Sequence, residues 1–528
     1  MWKIKNLTTK VDIIFWIFIF PIGAGLRLFR LGHFSLWYDE GASIQLSKLV
    51  DLKLSFLSPL KNVEPPINLI LTSLWLKFLE SIRFWEKYTE WDDFAIRLLP
   101  CIWSILSIII FFKIAKKLLS NSSFGILTST FLFTIIPFHI YYAQELRIYS
   151  FYTLLNLIGT YCLLEILEEN RWKFWIGLGS VFVLLMYTHY FSVWVIFVTN
   201  LFLLINIFLL HKGELFRKWF WTNLIAGILI LPAIHLGWQF LEVMLSHVKN
   251  QWYPHPTLKT ALITWKNMFA GYTDRTWAYW GVFVISTICF LLGTIKLTKE
   301  KSLYILIATA LPILFNIIYW NIKDFSFYEH RLFIYSGVVG IFGVANGLAF
   351  LKPRFIRYGT SILLIGLIII CLHDYYVGRL HPLESHRLGV FEKVDFRSLS
   401  KYVRENHPKE ACIIAYHSFS QPSLKHYLGN YQQFVIALSY RHTQTFINYL
   451  GNPSLLEFHG ILPIPIKYAI KGQKELLFIH STGISFEDSI FTNYLKKWFT
   501  ENGKVLGEKE FKGVSVTICA LEQKNTDN

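Results

Sequence analysis

About eleven stretches of mostly apolar residues, each close to the length that crosses a bilayer, limit what this chain can fold into. They lie near residues 13–31, 96–118, 124–142, 148–167, 174–188, 190–210, 220–240, 276–295, 302–320, 331–350 and 358–374. A hydrocarbon core is spanned by ~20 apolar residues in a helix. Lipid cannot satisfy exposed backbone groups, so runs of this length read as helices. The composition agrees: 54% of residues are hydrophobic and 16% charged, against about 25% charged in soluble domains. Aromatics reach 17%, as expected where Trp and Tyr line membrane interfaces. The first run lacks the short core and small-residue cleavage site of a signal peptide, so it is predicted to be a retained membrane helix. The 174–188 run is short, and it breaks at Thr188-His189.

Charge sets the orientation. The formal net charge is +16, which could suggest nucleic acid, but the Lys and Arg are not placed for it. With the N-terminus cytoplasmic, alternate loops carry Lys113, Lys116 and Lys117; Arg171 and Lys173; Lys212, Arg217 and Lys218; Lys296, Lys299 and Lys301; Lys352, Arg354 and Arg357. The opposite loops carry few. This is the positive-inside pattern. It predicts a polytopic α-helical membrane protein with about eleven spans over residues 1–374. An odd count puts residues 375–528 outside, along with the long loop 32–95 and the turns at 144–147 and 328–331.

The outer region mixes polar and apolar residues. Helical spacing at Phe396-Leu399-Tyr402-Val403 and near 487–500 alternates with strand-like runs at 412–416, 434–438, 476–479 and 514–520. That alternation predicts an extracytoplasmic α/β domain. Stretch 64–82 is apolar and amphipathic, as for a helix lying along the surface. Cys101, Cys162, Cys289 and Cys371 fall inside apolar runs and read as small hydrophobes. Cys412 and Cys519 have no metal-binding spacing; a disulfide between them is compatible with an oxidising compartment.

The residues with chemistry gather on the outer side. Asp39 and Glu40 are adjacent carboxylates just past the first span, where an acid must be paired or used. Glu64 precedes Pro65-Pro66. Glu145 and Arg147 sit between two spans, and His330 and Arg331 open a later one. An arginine fork suits a lipid phosphate, and a carboxylate beside it can take a proton. Plainer roles stand beside these: a first-turn acid stabilises a helix end, Arg27, Arg30, Arg97, Arg147 and Arg331 suit interfacial anchors, and His189 suits a structural turn. The loop 241–275 suits either an acceptor lid or a connection.

Six stretches in order resemble the GT-C superfamily of polytopic membrane glycosyltransferases, in its protein mannosyltransferase-like branch with the lipid A aminoarabinose transferases. They are Trp37-Tyr38-Asp39-Glu40, Glu64-Pro65-Pro66, Phe94-Ala95-Ile96-Arg97-Leu98-Leu99-Pro100, Tyr141 to Tyr149, Tyr187-Thr188-His189-Tyr190, and Arg331-Leu332-Phe333. The resemblance implies that Asp39 is the catalytic acid/base residue, with Glu40 supporting it in a pair with Arg147. It implies that Arg147 and Arg331 bind donor phosphate, with Glu64, Glu145, His189 and His330 in support. Two positions depart from the pattern: relatives often have His or Lys where this chain has Glu64, and Tyr where it has Leu332.

The activity so implied is transfer of a hexose or pentose, with inversion, from a polyprenyl-phosphate donor. The acceptor would be a lipid, protein or glycan hydroxyl on the outer face of the cell membrane. No cofactor is required; a divalent metal stays compatible with it. The rivals are a multi-span transporter or lipid flippase, which favours ionisable groups deep in the membrane, and a scaffold whose outer domain binds a partner.

Overall fold

The computed structural model describes residues 10–48, 65–82, 88–209, 211–247, 255–323, 326, 328–380, 394–415, 421–436, 463–464, 474–481, 500 and 503–521. Glu64 and the helical pattern near 487–499 lie outside them. All eleven apolar runs fold as helices. In chain order the helices are α1 (Lys10–Leu28), α2 (Tyr38–Lys48), α3 (Pro66–Ser81), α4 (Glu90–Leu118), α5 (Ser123–Ile135), α6 (Pro137–Ala143), α7 (Tyr149–Glu169) and α8 (Trp172–Thr188). Then come α9 (Ser192–Leu209), α10 (Phe216–His247), α11 (Leu258–Ala270), α12 (Thr276–Ile295), α13 (Lys299–Ile322), α14 (Ile334–Phe350) and α15 (Arg354–Val377). Among the described residues, nine helices are long and apolar enough to cross a bilayer, or ten if the bent pair α5–α6 counts as one. Helix α8, at 17 residues, is the short one. The amphipathic stretch of the first loop is α3.

The basic loops meet at one end of the bundle. Lys116 reaches Asp12 at 2.8 Å, Lys117 reaches Glu165 at 3.0 Å and Glu168 at 2.6 Å, and Lys212 reaches Glu300 at 2.6 Å. The Lys301 ammonium donates to the Leu118 carbonyl at 3.0 Å. Asp39, Arg97, Arg147 and Arg331 form a separate cluster at the far ends of their helices.

Arg27 is no interfacial anchor. The α5–α6 pair bends by 52° at Pro137, which has no N–H to continue the helix. Carbonyls of the preceding turn therefore need donors. The fully buried Arg27 guanidinium donates to the carbonyls of Thr134 at 3.1 Å and Phe133 at 3.3 Å, and to the Ser104 hydroxyl at 2.7 Å. Gln144 ties the end of α1 to the last span: its amide donates to the carbonyls of Arg27 (2.7 Å) and Phe29 (2.8 Å), and it accepts from the Tyr375 hydroxyl (2.7 Å).

Helices α12 and α14 meet backbone to backbone at two glycines, Gly293 and Gly347. A Cβ on Gly347 would lie 1.9 Å from the Cys289 carbonyl oxygen, and one on Gly293 1.9 Å from that of Gly343. Close backbone approach through small residues is how membrane helices gain contact where the hydrophobic effect gives no drive.

The C-terminal domain holds helices α16 (Phe396–Asn406) and α17 (Gln421–Tyr427) and strands β1 (Cys412–Ala415), β2 (Gln433–Ile436), β3 (Pro463–Ile464), β4 (Glu475–Ser481), β5 (Gly503–Phe511) and β6 (Val514–Leu521). The order is β3-β2-β1-β4-β6-β5. The first four are parallel, and β5–β6 is an antiparallel hairpin. Strand β1 is buried along its length, as a parallel strand covered on both faces must be. Strand β5 has no counterpart in the sequence reading, because its mostly exposed residues show little alternation. Cys412 and Cys519 lie on opposite sides of β4, both in register with Leu476. Two strand spacings is ~10 Å, too far for a disulfide, and the two cysteines form none.

Replacing Gly347 by Val should force α12 and α14 apart, at a cost of about 1–3 kcal/mol. A lower melting temperature of the detergent-solubilised protein, with Gly359→Val as an unaffected control in open space, is the expected result.

Candidate active site

Helix α2 begins with its two acids in the first turn, and they are used differently. Glu40 turns inward. Its carboxylate accepts a two-pronged bond from Arg97, 2.7 Å at each oxygen, and also the backbone N–H groups of Leu146 (2.9 Å) and Trp37 (3.3 Å). Arg97 further donates to the carbonyls of Leu31 (3.2 Å), Phe34 (2.6 Å) and Ser35 (3.0 Å). Both side chains are sealed, at 0% and 1% exposure. Arg97 is therefore the peg around which loop 31–40 is wound. Where a pair of Glu40 with Arg147 was expected, the two-pronged partner of Glu40 is Arg97, whose fork geometry matches both carboxylate oxygens.

Asp39, one residue earlier and so about 100° round the helix, points another way and stays partly exposed. Its Oδ2 lies 3.1 Å from Arg331 Nη1 and 3.7 Å from Arg147 Nε. These three side chains keep 17%, 12% and 14% of their surface. Arg147 also donates to the Ser43 hydroxyl at 3.0 Å. Arg331 pairs with Glu329 as well, and stands over the Tyr149 ring at 5.5 Å. Residues 292 apart in the chain thus bring one acid and two guanidinium groups to a single point.

The other expected residues separate. His189 belongs beside the cluster: its ring packs against Tyr149 and Tyr152, at centroid distances of 6.0 and 5.5 Å. His330 turns away and bonds the Thr264 hydroxyl at 2.8 Å in a buried network with Tyr328. Glu145 is wholly buried in the turn between α6 and α7, where its carbonyl accepts the Arg147 N–H. Loop 241–275 contributes α11, packed against the bundle. Two recesses border the segments that carry the arginines. One borders the Arg331 segment through Leu332 and Phe333, walled by Tyr152, Phe191 and Trp194. The other is lined by Arg147 itself with Asn68, Thr72, Trp103 and Phe151.

Sequence reasoning missed the C-terminal domain's part in this site. The Tyr427 hydroxyl accepts the Leu36 N–H at 2.9 Å and donates to Asp93 at 2.7 Å. Arg397 bonds Asp93 at 2.5 Å and the carbonyls of Gly32 (2.8 Å) and His33 (2.6 Å). Asp395 accepts the Ser35 hydroxyl at 2.9 Å. Helix α17 lies directly on the acid helix: a Cβ on Gly41 would sit 2.7 Å from the Ser423 nitrogen. Burial, with the charge of Lys48 nearby, pushes His426 on the same helix down to about 3, so it packs neutral. The acid loop is held from below by Arg97 and from above by residues 395–427. The one signal available was Asp93 and Arg97 four apart at the start of an apolar helix, which puts both on one face.

Removing one partner of the sealed pair, Arg97→Ala, should cost about 3–5 kcal/mol, read as loss of folded protein on size-exclusion chromatography in detergent. Tyr427→Phe removes bonds to two groups, and about 1–3 kcal/mol should appear as a lower melting temperature, with faster hydrogen exchange confined to residues 33–41.

Comparison with known proteins adds the following. A family model described as dolichyl-phosphate-mannose-protein mannosyltransferase matches residues 82–238. By sequence, no protein of characterised function matches the chain. By structure, ArnT from Cupriavidus metallidurans superposes with a TM-score of 0.58 at 11% identity, over 96% of this chain and 97% of that one. The same protein bound to undecaprenyl phosphate gives 0.58 at 11% identity, over 97% and 99%. An oligosaccharyltransferase from Archaeoglobus fulgidus, in complex with Zn and sulfate, gives 0.50 at 11% identity, over 87% and 67%.

Proposed function

We propose, taking the GT-C fold of this chain as the premise, that it transfers a sugar from a polyprenyl-phosphate donor to an acceptor hydroxyl at the outer membrane surface. The observation that carries this is the accessible Asp39 carboxylate held between Arg331 and Arg147. A carboxylate alone could be a helix-end charge. Two guanidinium groups converging on one carboxylate that keeps access to solvent suit a second anion, and a lipid phosphate fits their fork geometry.

In this reading the donor phosphate engages Arg331 and Arg147, drawing them from Asp39. The polyprenyl chain lies in the apolar recess walled by Tyr152, Phe191 and Trp194. Asp39 takes the proton of the acceptor hydroxyl. The acceptor oxygen attacks the anomeric carbon from the side opposite the phosphate, and the carbon–phosphate-oxygen bond breaks. Polyprenyl phosphate leaves with the electron pair, its charge met by the two arginines, and the new glycosidic bond has the inverted configuration. Glu40 takes no proton in this scheme; it fixes the turn that aims Asp39. Glu145, buried in the neighbouring turn, sets the path of Arg147. This scheme uses no metal, and a divalent metal stays compatible with it.

The outer location is supported by charge. The basic loops gather at the opposite end of the bundle from Asp39, and basic loops face the cytoplasm. A lipid-linked donor suits that side, since the membrane itself presents the sugar there.

Asp39→Asn, in protein that folds and inserts normally, should lower transfer from a polyprenyl-phosphate sugar by about 10²–10⁴-fold, measured with purified enzyme and envelope lipids as acceptor. Full activity in that variant would remove the proposed base.

A further inference from the structure

His189 sits at a break that the fold makes for it. Helix α8 ends on it, with the His189 N–H still bonded to the Leu185 carbonyl at 2.9 Å, and α9 starts as Ser192 bonds back to the His189 carbonyl at 2.9 Å. Between them the Phe191 N–H donates to His189 Nδ1 at 3.1 Å. An imidazole nitrogen that accepts from a backbone N–H carries its lone pair there, so the hydrogen of the neutral ring is on Nε2. Among the described residues nothing takes that hydrogen. The ring packs against Tyr149, the residue over which Arg331 stands. It also packs against Tyr152 and Phe191, at 5.5 and 5.8 Å, and both wall the recess that borders Arg331.

We propose that His189 is a third phosphate-binding residue, donating its Nε2–H to a polyprenyl phosphate seated at the mouth of this recess, opposite Arg331. This deepens the glycosyl-transfer reading and rests on it for the identity of the ligand. Burial, followed by the charges of Arg147 and Arg331, pushes the ring down to about 3, so it stays neutral at ordinary pH. A neutral donor is suited to the place. A third cation would compete with the arginines for Asp39, whereas an N–H group adds a directed bond to the phosphate and leaves the acid's charge balance unchanged.

A purely structural His189 is separable from this role because its two nitrogens do different work. In His189→Asn the short amide oxygen reaches the Phe191 N–H two residues on, as Asn does in turns, but no donor reaches the position of Nε2. In His189→Gln the terminal amide takes the place of Nε2–H, and the turn bond is lost. Binding of undecaprenyl phosphate to the full-length protein in nanodiscs is the measurement, with melting temperature read alongside. The expected result is that Asn keeps the wild-type melting temperature and weakens binding by about tenfold or more, the scale of a lost bond to a charged group. Gln should melt lower and bind within about threefold of wild type. Wild-type binding in the Asn variant overturns the proposal, as does equal loss in both variants, or wild-type protein that does not bind the lipid. The transfer assay on Asp39→Asn is independent of these outcomes, so a failure here leaves the base assignment to be judged by itself.

Discussion

The site depends on one buried ion pair. Arg97 projects from the first turns of a membrane helix into a loop that would otherwise have no core of its own. Its guanidinium is filled by two carboxylate oxygens of Glu40 and three backbone carbonyls between Leu31 and Ser35. A charge in such surroundings is tolerated only when every donor is used. The loop conformation is therefore set by the hydrogen-bonding demand of a single side chain. Through the covalent link between Glu40 and Asp39, that demand fixes the exposed acid against Arg147 and Arg331.

The division of labour between the two acids follows from helix geometry. Neighbours on a helix point about 100° apart, so a buried residue can carry an accessible one as its rigid neighbour. One acid gives up reactivity to become an anchor, and the other keeps reach to solvent. Support of this kind, in which the reacting group is held by residues whose own bonds are complete, keeps a site's geometry from drifting.

Much of this was legible in the sequence. The spans follow from apolar run length alone, and the convergence of Asp39, Arg147 and Arg331 on one side follows from counting them. The strands β1, β2 and β4 were visible as apolar runs, because a covered parallel strand has no polar alternation to blur it; β6, antiparallel to β4, was visible as a largely apolar run as well. The role of Arg97 was not legible: an arginine near the end of an apolar run looks the same whether it meets water or a buried carboxylate. Nor was Arg27, whose partners are carbonyls exposed by a proline more than a hundred residues away. The C-terminal domain's grip through Tyr427 and Arg397 joins chain segments over 300 residues apart, and such pairing leaves no local pattern.

That grip has a consequence for how the protein is made. Translation delivers Asp39 among the first residues and Tyr427 among the last, and segments fold as they emerge. While the spans are being inserted, the acid loop has its floor but not its roof. A half-made chain in the membrane thus lacks the contacts that close over the turn bearing Asp39, which form only once the segment carrying Tyr427 has been made.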